Sequence, residues 1–338
     1  GGKAPEPRYA GATPAAELTR ICSARIAQEL TRCDDGATGC AEGPKGLAAS
    51  GMNKRAILRL ALAAAVALML SACTTGSPTR VLEIEPIKSE KYAAIVVDAN
   101  TGRTLYSAAA DQIRYPASLT KMMTLYMLFE ALDSGRISKT TQIPISAYAA
   151  SRPPTKMGIK PGGSIDVDSA IRALVVRSAN DIAAAVGEYL SGSEAQFAAN
   201  MTARARSLGM TKTTFRNASG LPDAGQQTCA RDMALLGMAL RQRFPHHYAY
   251  FSTREFAYGG KIVRGHNKLL ETGGVGGPNS RSICASGFNV VTSVNRNGKR
   301  LIVTVMGGES ANGRNAHVQE LIQRYLPAAA ARSGSGSI

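Results

Sequence analysis

The chain has few of the residues that hold metal ions or stack on nucleic-acid bases. Of its 338 residues only four are histidines and 5% are aromatic, and none of its six cysteines forms a C-x-x-C pair. We therefore expect no metal site. The net charge is +16, which suits acidic wall polymer or a membrane surface, but no run of Lys or Arg is longer than a pair. Without a basic-aromatic motif, we expect a generally basic surface and no nucleic-acid partner.

The segment that starts at Met52 has the layout of an export signal. A positively charged start leads into an apolar stretch over residues 60–70, which is too short to span a bilayer. The sequence Leu-Ser-Ala-Cys over residues 70–73 resembles a bacterial lipobox, in which the cysteine is acylated and becomes the mature N-terminus. We expect a signal peptide over residues 52–72 and a lipid at Cys73, with plain signal cleavage as the alternative.

This signal divides the chain and predicts an exported protein of the cell envelope or periplasm. Residues 1–51 precede the signal and are excluded from the mature protein. Residues 73–90 form a polar linker after the anchored cysteine, and residues 91–327 form the folded domain. The low-complexity tail, 328–338, is expected to be disordered.

Hydrophobic patterns place strands at both ends of the domain and helices between them. Residues 92–98 and 104–107 flank one turn, and residues 288–294 and 300–306 flank a second turn at Asn297-Gly298. Helical spacing occurs in the following segments: 117–134, 166–177, 181–190, 194–208, 230–244 and 318–325. We predict an α/β fold in which both hairpins join one antiparallel sheet, flanked by helices, with an inserted and mostly helical lobe.

Ser118 and Lys121 open the most apolar of these helices, in the sequence Pro-Ala-Ser-Leu-Thr-Lys. Residues three apart lie on the same face of a helix. A lysine on a buried helix must be paired or lose its charge, and a neutral amine beside a hydroxyl is a general base beside a nucleophile. The helix N-terminus adds free N–H groups for an oxyanion. S-x-x-K alone is a weak signal, because chance matches at solvated helix starts are common.

A second short motif, Ser178-Ala179-Asn180, lies sixty residues later between two predicted helices. Its hydroxyl can relay protons and its amide can hold a peptide carbonyl. S-x-N is also weak alone, but the two motifs together, placed between two hairpins, indicate a serine enzyme with a Ser-Lys catalytic pair.

These segments resemble the D-alanyl-D-alanine carboxypeptidases, the low-molecular-weight penicillin-binding proteins, over residues 92–325. The matching stretches are residues 115–124, 177–181, 208–211, 215–221 and 306–308. The resemblance implies a β-lactamase/transpeptidase-like fold that acts on D-Ala-D-Ala peptides of peptidoglycan, with β-lactams as covalent inhibitors and no cofactor. It also implies that Ser118 is acylated, Lys121 accepts its proton, Ser178 shuttles the proton and Asn180 holds the substrate amide.

The third motif of this family departs from its pattern. Members carry Lys-Thr/Ser-Gly on a strand beside the nucleophile, where counting back from Asn289 gives Asn279-Ser280-Arg281. The family lysine binds the terminal carboxylate of the substrate, and Asn279 cannot supply that charge. Ser280 and Ser282 remain candidate substrate-binding residues, since Ser282 presents the second oxyanion N–H of the family.

The departure leaves a second hypothesis open, a catalytically impaired penicillin- or muropeptide-binding relative. A third hypothesis is a β-lactamase, although no Glu-x-x-x-Asn pattern of the class A enzymes lies between Asn180 and Asn217. An accidental Ser-Lys match in an unrelated fold is a fourth alternative, which the length of the resemblance disfavours.

Overall fold

The computed structural model describes residues 90–265, 280–286 and 289–331, and residues 280–286 only in their backbone. Its main sheet is antiparallel, with strands in the order β2-β1-β9-β8-β7. The strands are β1 (Ala93–Asp98), β2 (Thr104–Ala108), β7 (Ser280–Ser286), β8 (Asn289–Arg296) and β9 (Lys299–Met306). The two predicted hairpins therefore join one sheet through the β1–β9 pair, which confirms the predicted fold class.

Strand β1 is buried on both faces, and its alternate residues enter two different cores. Ile95 and Val97 pack into the larger core, which the helical lobe completes. Ala94 and Val96 pack into a smaller core that includes Val318, Leu321 and Ile322 of the last helix. Because side chains alternate along a strand, β1 places the sheet between two layers of helix.

The lobe between the two hairpins is mostly helical, as predicted. The helices of the described residues are α1 (Lys121–Asp133), α2 (Ala147–Ala150), α3 (Val167–Arg172), α4 (Asn180–Ser191), α5 (Glu194–Ser207), α6 (Ala230–Arg243) and α7 (Ala311–Tyr325). Two small hairpins were not predicted, β3 (Gln142–Pro144) with β4 (Ser164–Asp166) and β5 (Glu255–Tyr258) with β6 (Lys261–Arg264).

The central helix differs from its prediction at the end that carries Ser118. Residues Ala117–Thr120 form a 3₁₀ turn, and the α-helix begins only at Lys121. Ala117 has a φ of +47°, a conformation that a residue with a side chain rarely adopts. The other end is as predicted, because Gly135 takes a positive φ there. Ser118 thus sits on a tight turn in front of a buried helix.

The start of the C-terminal tail is held against the first hairpin. Ala330 donates its N–H to Asp98 Oδ2 at 2.9 Å, and Asn100 Nδ2 donates to the carbonyl of Ala330 at 2.8 Å. The expectation of a disordered tail from residue 328 is therefore wrong for residues 328–331. The predicted signal peptide, Cys73 and residues 74–89 lie outside the described residues.

Candidate active site

Three segments of the chain meet at the amine of Lys121. This side chain is 1% exposed. Its Nζ lies 3.4 Å from Ser118 Oγ, 2.7 Å from Asn180 Oδ1 and 2.7 Å from the carbonyl oxygen of Ser219. The structure therefore brings together Ser118, Lys121 and Asn180, which the sequence analysis selected, and adds the carbonyl of Ser219.

The arrangement around this amine suits a general base. A neutral lysine has two N–H bonds and one lone pair. The two short contacts, to Asn180 and Ser219, are with pure acceptors and use both N–H bonds. Ser118 Oγ is the longer contact, at 3.4 Å, and a deprotonated amine at that distance can accept its proton.

The turn that carries Ser118 is fixed from outside by the loop at residues 217–221. Gly220 packs so closely on this turn that a Cβ atom on it would lie 1.8 Å from the carbonyl oxygen of Ala117. Asn217 Oδ1 accepts hydrogen bonds from the N–H groups of Gly220, at 2.7 Å, and Ser219, at 3.2 Å. Asn217 therefore holds both the glycine against the nucleophile turn and the Ser219 carbonyl against Lys121.

The sequence analysis assigned no role to this loop or to Asn289. Asn289 Nδ2 donates to the carbonyl of Tyr115 at 3.1 Å, two residues before the strained Ala117. Its Oδ1 accepts from Gly307 N at 3.0 Å, and its own carbonyl accepts from Arg314 Nη1 at 3.1 Å. Asn289 thus ties the approach to the nucleophile turn to the main sheet.

Ser178 occupies an unusual backbone position. It follows a π-helical turn, Ala173–Arg177, and adopts the left-handed conformation with φ 55° and ψ 41°. Its hydroxyl oxygen is buried and makes no hydrogen bond to any of the described residues. An unsatisfied buried hydroxyl costs about 1–3 kcal/mol. Strain and an unpaired polar atom at one residue are typical of a functional site.

Asn180 lies at the first turn of α4 and is held on both sides of its amide. Its Nδ2 donates to the carbonyl of Pro153 at 2.9 Å, while its Oδ1 accepts from Lys121. Its backbone N–H donates to Thr155 O at 2.7 Å, and the Thr155 hydroxyl donates to the carbonyl of Ser178 at 3.0 Å. These contacts leave only the second N–H of the amide for a substrate carbonyl.

The strand that carries Ser280 and Arg281 of the third-motif position borders the turn of Ser118. Strand β7 is the edge strand beside β8 and packs against the 3₁₀ turn that carries Ser118. Its pairing with β8 slips by one residue between Ser282 and Cys284, which marks a β-bulge. Asn279 lies outside the described residues, and the side chains of Ser280, Arg281 and Ser282 are not described.

A mostly apolar cavity of about 340 Å³ opens next to the nucleophile turn. Tyr115 and Ala117 form one side of it, and Gly220, Leu221 and Pro222 form another. The Tyr115 side chain is 69% exposed at this position. The cavity therefore adjoins the turn that carries Ser118.

A serine that follows the strained Ala117, with its Oγ 3.4 Å from a buried lysine amine, is typical of an active-site serine hydrolase. The sequence profile of the D-alanyl-D-alanine carboxypeptidases matches residues 80–310. The chain is 34% identical over 277 residues to D-alanyl-D-alanine carboxypeptidase DacA of Escherichia coli, covering 80% of this chain and 68% of the relative. It is 31% identical over 274 residues to DacC of the same organism, with 79% and 68% covered. The chain belongs to the D-alanyl-D-alanine carboxypeptidase family.

Solved structures agree with this family. Penicillin-binding protein 5 of Haemophilus influenzae matches with a TM-score of 0.65 and 30% identity, over 71% of this chain and 72% of that one. Penicillin-binding protein 6B of Escherichia coli matches with a TM-score of 0.65 and 29% identity, over 72% and 79%. The chain is thus a serine-type D-Ala-D-Ala carboxypeptidase of the cell envelope that acts on peptidoglycan stem peptides and binds penicillin.

Proposed function

We propose that Ser118 is the nucleophile of this enzyme, Lys121 its general base and Ser178 its proton shuttle. The observation that carries the proposal is the geometry at Lys121 Nζ. Two acceptors lie 2.7 Å from the amine, and Ser118 Oγ lies 3.4 Å from it. The unpaired hydroxyl of Ser178 supports its role, because a proton shuttle needs a hydroxyl that is not committed to a structural hydrogen bond.

The proposed reaction has two steps. Lys121 takes the proton of Ser118 as Ser118 Oγ attacks the D-Ala–D-Ala amide carbon, and Asn180 and the backbone N–H groups of Ser118 and Ser282 hold the substrate carbonyl. Ser178 returns the proton to the amide nitrogen, the C–N bond breaks and D-alanine leaves. Water then hydrolyses the ester, with Lys121 again accepting a proton.

Covalent labelling by a fluorescent penicillin tests these roles. The wild-type chain should be labelled, and mass spectrometry of its peptides should find the adduct on Ser118. Ser118→Ala should abolish labelling, and Lys121→Ala should slow it by roughly 10²–10⁴-fold, the usual contribution of a general base. Undiminished labelling of Ser118→Ala would refute the assignment.

A second candidate function is a binding protein with impaired catalysis, because Asn279 replaces the family lysine. A hydrogen bond to a charged group is worth roughly 1.5–3 kcal/mol, so its loss weakens recognition of the substrate carboxylate about 10- to 100-fold. Ser280 and Ser282 would still contact the substrate from β7.

D-Alanine release from a D-Ala-D-Ala peptide, compared between the wild type and Asn279→Lys with Arg281→Gly, separates the two functions. A large gain indicates an impaired motif, whereas a loss makes Arg281 the carboxylate ligand. No change would mean that this segment is not the third motif.

A β-lactamase is less well supported than a carboxypeptidase. The two glutamates between Asn180 and Asn217 are both engaged elsewhere: Glu188 accepts from Ser146 Oγ at 2.7 Å, and Glu194 accepts from Tyr148 Oη at 2.6 Å and Ala218 N at 2.9 Å. Both carboxylates therefore have structural hydrogen-bond partners within the helical lobe and its adjoining loop. Slow release of the penicilloyl adduct, over many minutes, is the expected result.

We further propose that the mature enzyme begins at Cys73 and is held to a membrane by a lipid on that residue. The lipobox-like sequence supports the anchor. Among the described residues, no helix combines the length and the apolar character that a membrane span needs. Mass spectrometry of the cellular protein should find an acylated Cys73 at the N-terminus, and the protein should partition into detergent. Cys73→Ser should release the protein from the membrane or leave it unprocessed. A cellular protein that starts at residue 1 would refute both the signal and the anchor.

A further inference from the structure

A carboxylate and two imidazoles converge at the end of α1 that is remote from the catalytic residues. Asp133 is the last residue of α1, and His246 and His247 lie between α6 and the 3₁₀ turn Tyr248–Ser252. Asp133 Oδ1 is 3.0 Å from His246 Nε2 and 2.8 Å from His247 Nε2. The three ligand atoms all lie within 4.8 Å of one another.

The donor set and its spacing suit a zinc ion. Two imidazole nitrogens and one carboxylate oxygen are the usual ligands of Zn²⁺ sites that keep one position open. In tetrahedral coordination with bonds near 2.0–2.1 Å, ligand atoms stand about 3.3 Å apart. The two measured distances are a few tenths of an ångström shorter, so a small outward shift of an exposed side chain accommodates the ion.

One ligand is held rigidly, while another can move. The His247 side chain is 8% exposed, and its ring stacks on Phe129 of α1 with centroids 4.8 Å apart and an interplanar angle of 18°. The His246 side chain is 60% exposed, which provides both the movement and a path from solvent. The His247 Nε2 is therefore already in position before an ion binds, so that binding has to order few side chains.

We propose that Asp133, His246 and His247 bind a Zn²⁺ ion that fastens the end of α1 to the segment after α6. Twelve residues separate Asp133 from Lys121, about 18 Å along the helix, so the ion takes no part in the peptidase reaction. It stabilises the helix whose other end carries the base. The sequence analysis considered only C-x-x-C pairs and the number of histidines. It did not select this site, because Asp133 and His246 are 113 positions apart in sequence.

Zinc titration of the full chain, untagged and dialysed against a chelator, tests the proposal. Calorimetry should give one Zn²⁺ per chain, and the thermal unfolding temperature should rise with added zinc. His246→Ala removes an exposed ligand without opening the core and should weaken binding about 10- to 100-fold or more. His266→Ala, which removes a histidine outside the described residues, is the matched control and should bind like the wild type.

A second variant distinguishes the loss of the metal site from a loss of the fold. Asp133→Asn keeps the shape of the side chain but removes its charge, so it should also weaken zinc binding and abolish the zinc-dependent rise in unfolding temperature. Co²⁺ should give visible absorption typical of tetrahedral coordination in the wild type and in His266→Ala only. Absence of saturable zinc binding, or equal affinity of His246→Ala and the wild type, would mean that the three residues form a hydrogen-bonded cluster and no metal site.

Discussion

Replacing Asn180 by Asp is the sharpest test of Lys121 as a neutral base. The two side chains have the same shape, so an Asp carboxylate would stand where Oδ1 stands now, 2.7 Å from Lys121 Nζ. Both residues are buried, at 1% and 6% exposure, so solvent screens the new pair weakly. A carboxylate this close shifts the pKa of a partner by roughly 1–3 units, here upward for the lysine.

The expected loss of activity follows from that shift. At a fixed pH below the lysine pKa, each unit lowers the neutral fraction about tenfold, so acylation should slow by about 10- to 1000-fold. Because the base is still present, raising the pH should restore the rate. The assay is the second-order rate constant for labelling by a fluorescent penicillin, measured from pH 6 to 10 for both proteins.

Asn180→Ala is the control that removes the contact without adding a charge. It deletes a hydrogen bond to the amine and one to the carbonyl of Pro153, which together stabilise the fold by roughly 1–3 kcal/mol. Its labelling rate constant should be lower at every pH, but the midpoint of its pH profile should not move to higher pH. If Asn180→Asp also lowers the rate without moving the profile, Asn180 only binds substrate and the neutral-lysine mechanism is wrong.

Gly220, Ser178 and His317 offer three further tests. Gly220→Ala should cut penicillin labelling about 10²-fold, the effect of roughly 1 Å of misplacement. Gly192→Ala is its control, since Gly192 has the same positive φ but open space around it; equal effects of the two would contradict the close-packing argument. Ser178→Ala should slow turnover about 10²–10⁴-fold without lowering the unfolding temperature, because its hydroxyl makes no hydrogen bond to the described residues; a large destabilisation would indicate a structural role. Burial lowers the pKa of His317 and of His247, so the unfolded chain binds more protons below about pH 6.5. The free energy of unfolding in urea should therefore fall from pH 7.5 to 5.5, and less steeply in His317→Gln; identical slopes would exclude His317.

The hairpins and longer helices were predictable because local signals mark them. Strand β1 is a short apolar run before an Asn-Thr-Gly turn, and α1 is a longer apolar run that Gly135 ends. The 3₁₀ start of α1 was not predictable. It depends on Ala117 and on its contact with Gly220, more than a hundred residues later. Strands of three or four residues, such as β3 and β5, are too short to show a period.

The active-site residues also fall into two groups: those that a local motif reveals, and those that only the fold brings together. The spacing of Ser118 and Lys121 is local, so the motif revealed it. The carbonyl of Ser219 is a backbone group that every residue possesses, and no motif marks it as a ligand of Lys121. Asn289 matters because it ties the distant residues Tyr115 and Gly307 together, whereas Asn217 orders its own loop, whose contact with the Ser118 turn exists only in the fold. Asn-Ala-Ser-Gly is a recognisable turn sequence, but its partner is visible only in the fold.

The third motif and the Lys121 amine are held by different elements. The short hydrogen bonds of the amine reach α4 and the 217–221 loop, whereas β7 is aligned by its pairing with β8. A side-chain change in β7 that keeps this pairing is therefore expected to act on the substrate carboxylate and the oxyanion. An impairment caused by Asn279 and Arg281 should consequently appear in KM and in the height of the pH profile. Asn180→Asp should instead move the midpoint of that profile, so the two effects can be told apart within one family of variants.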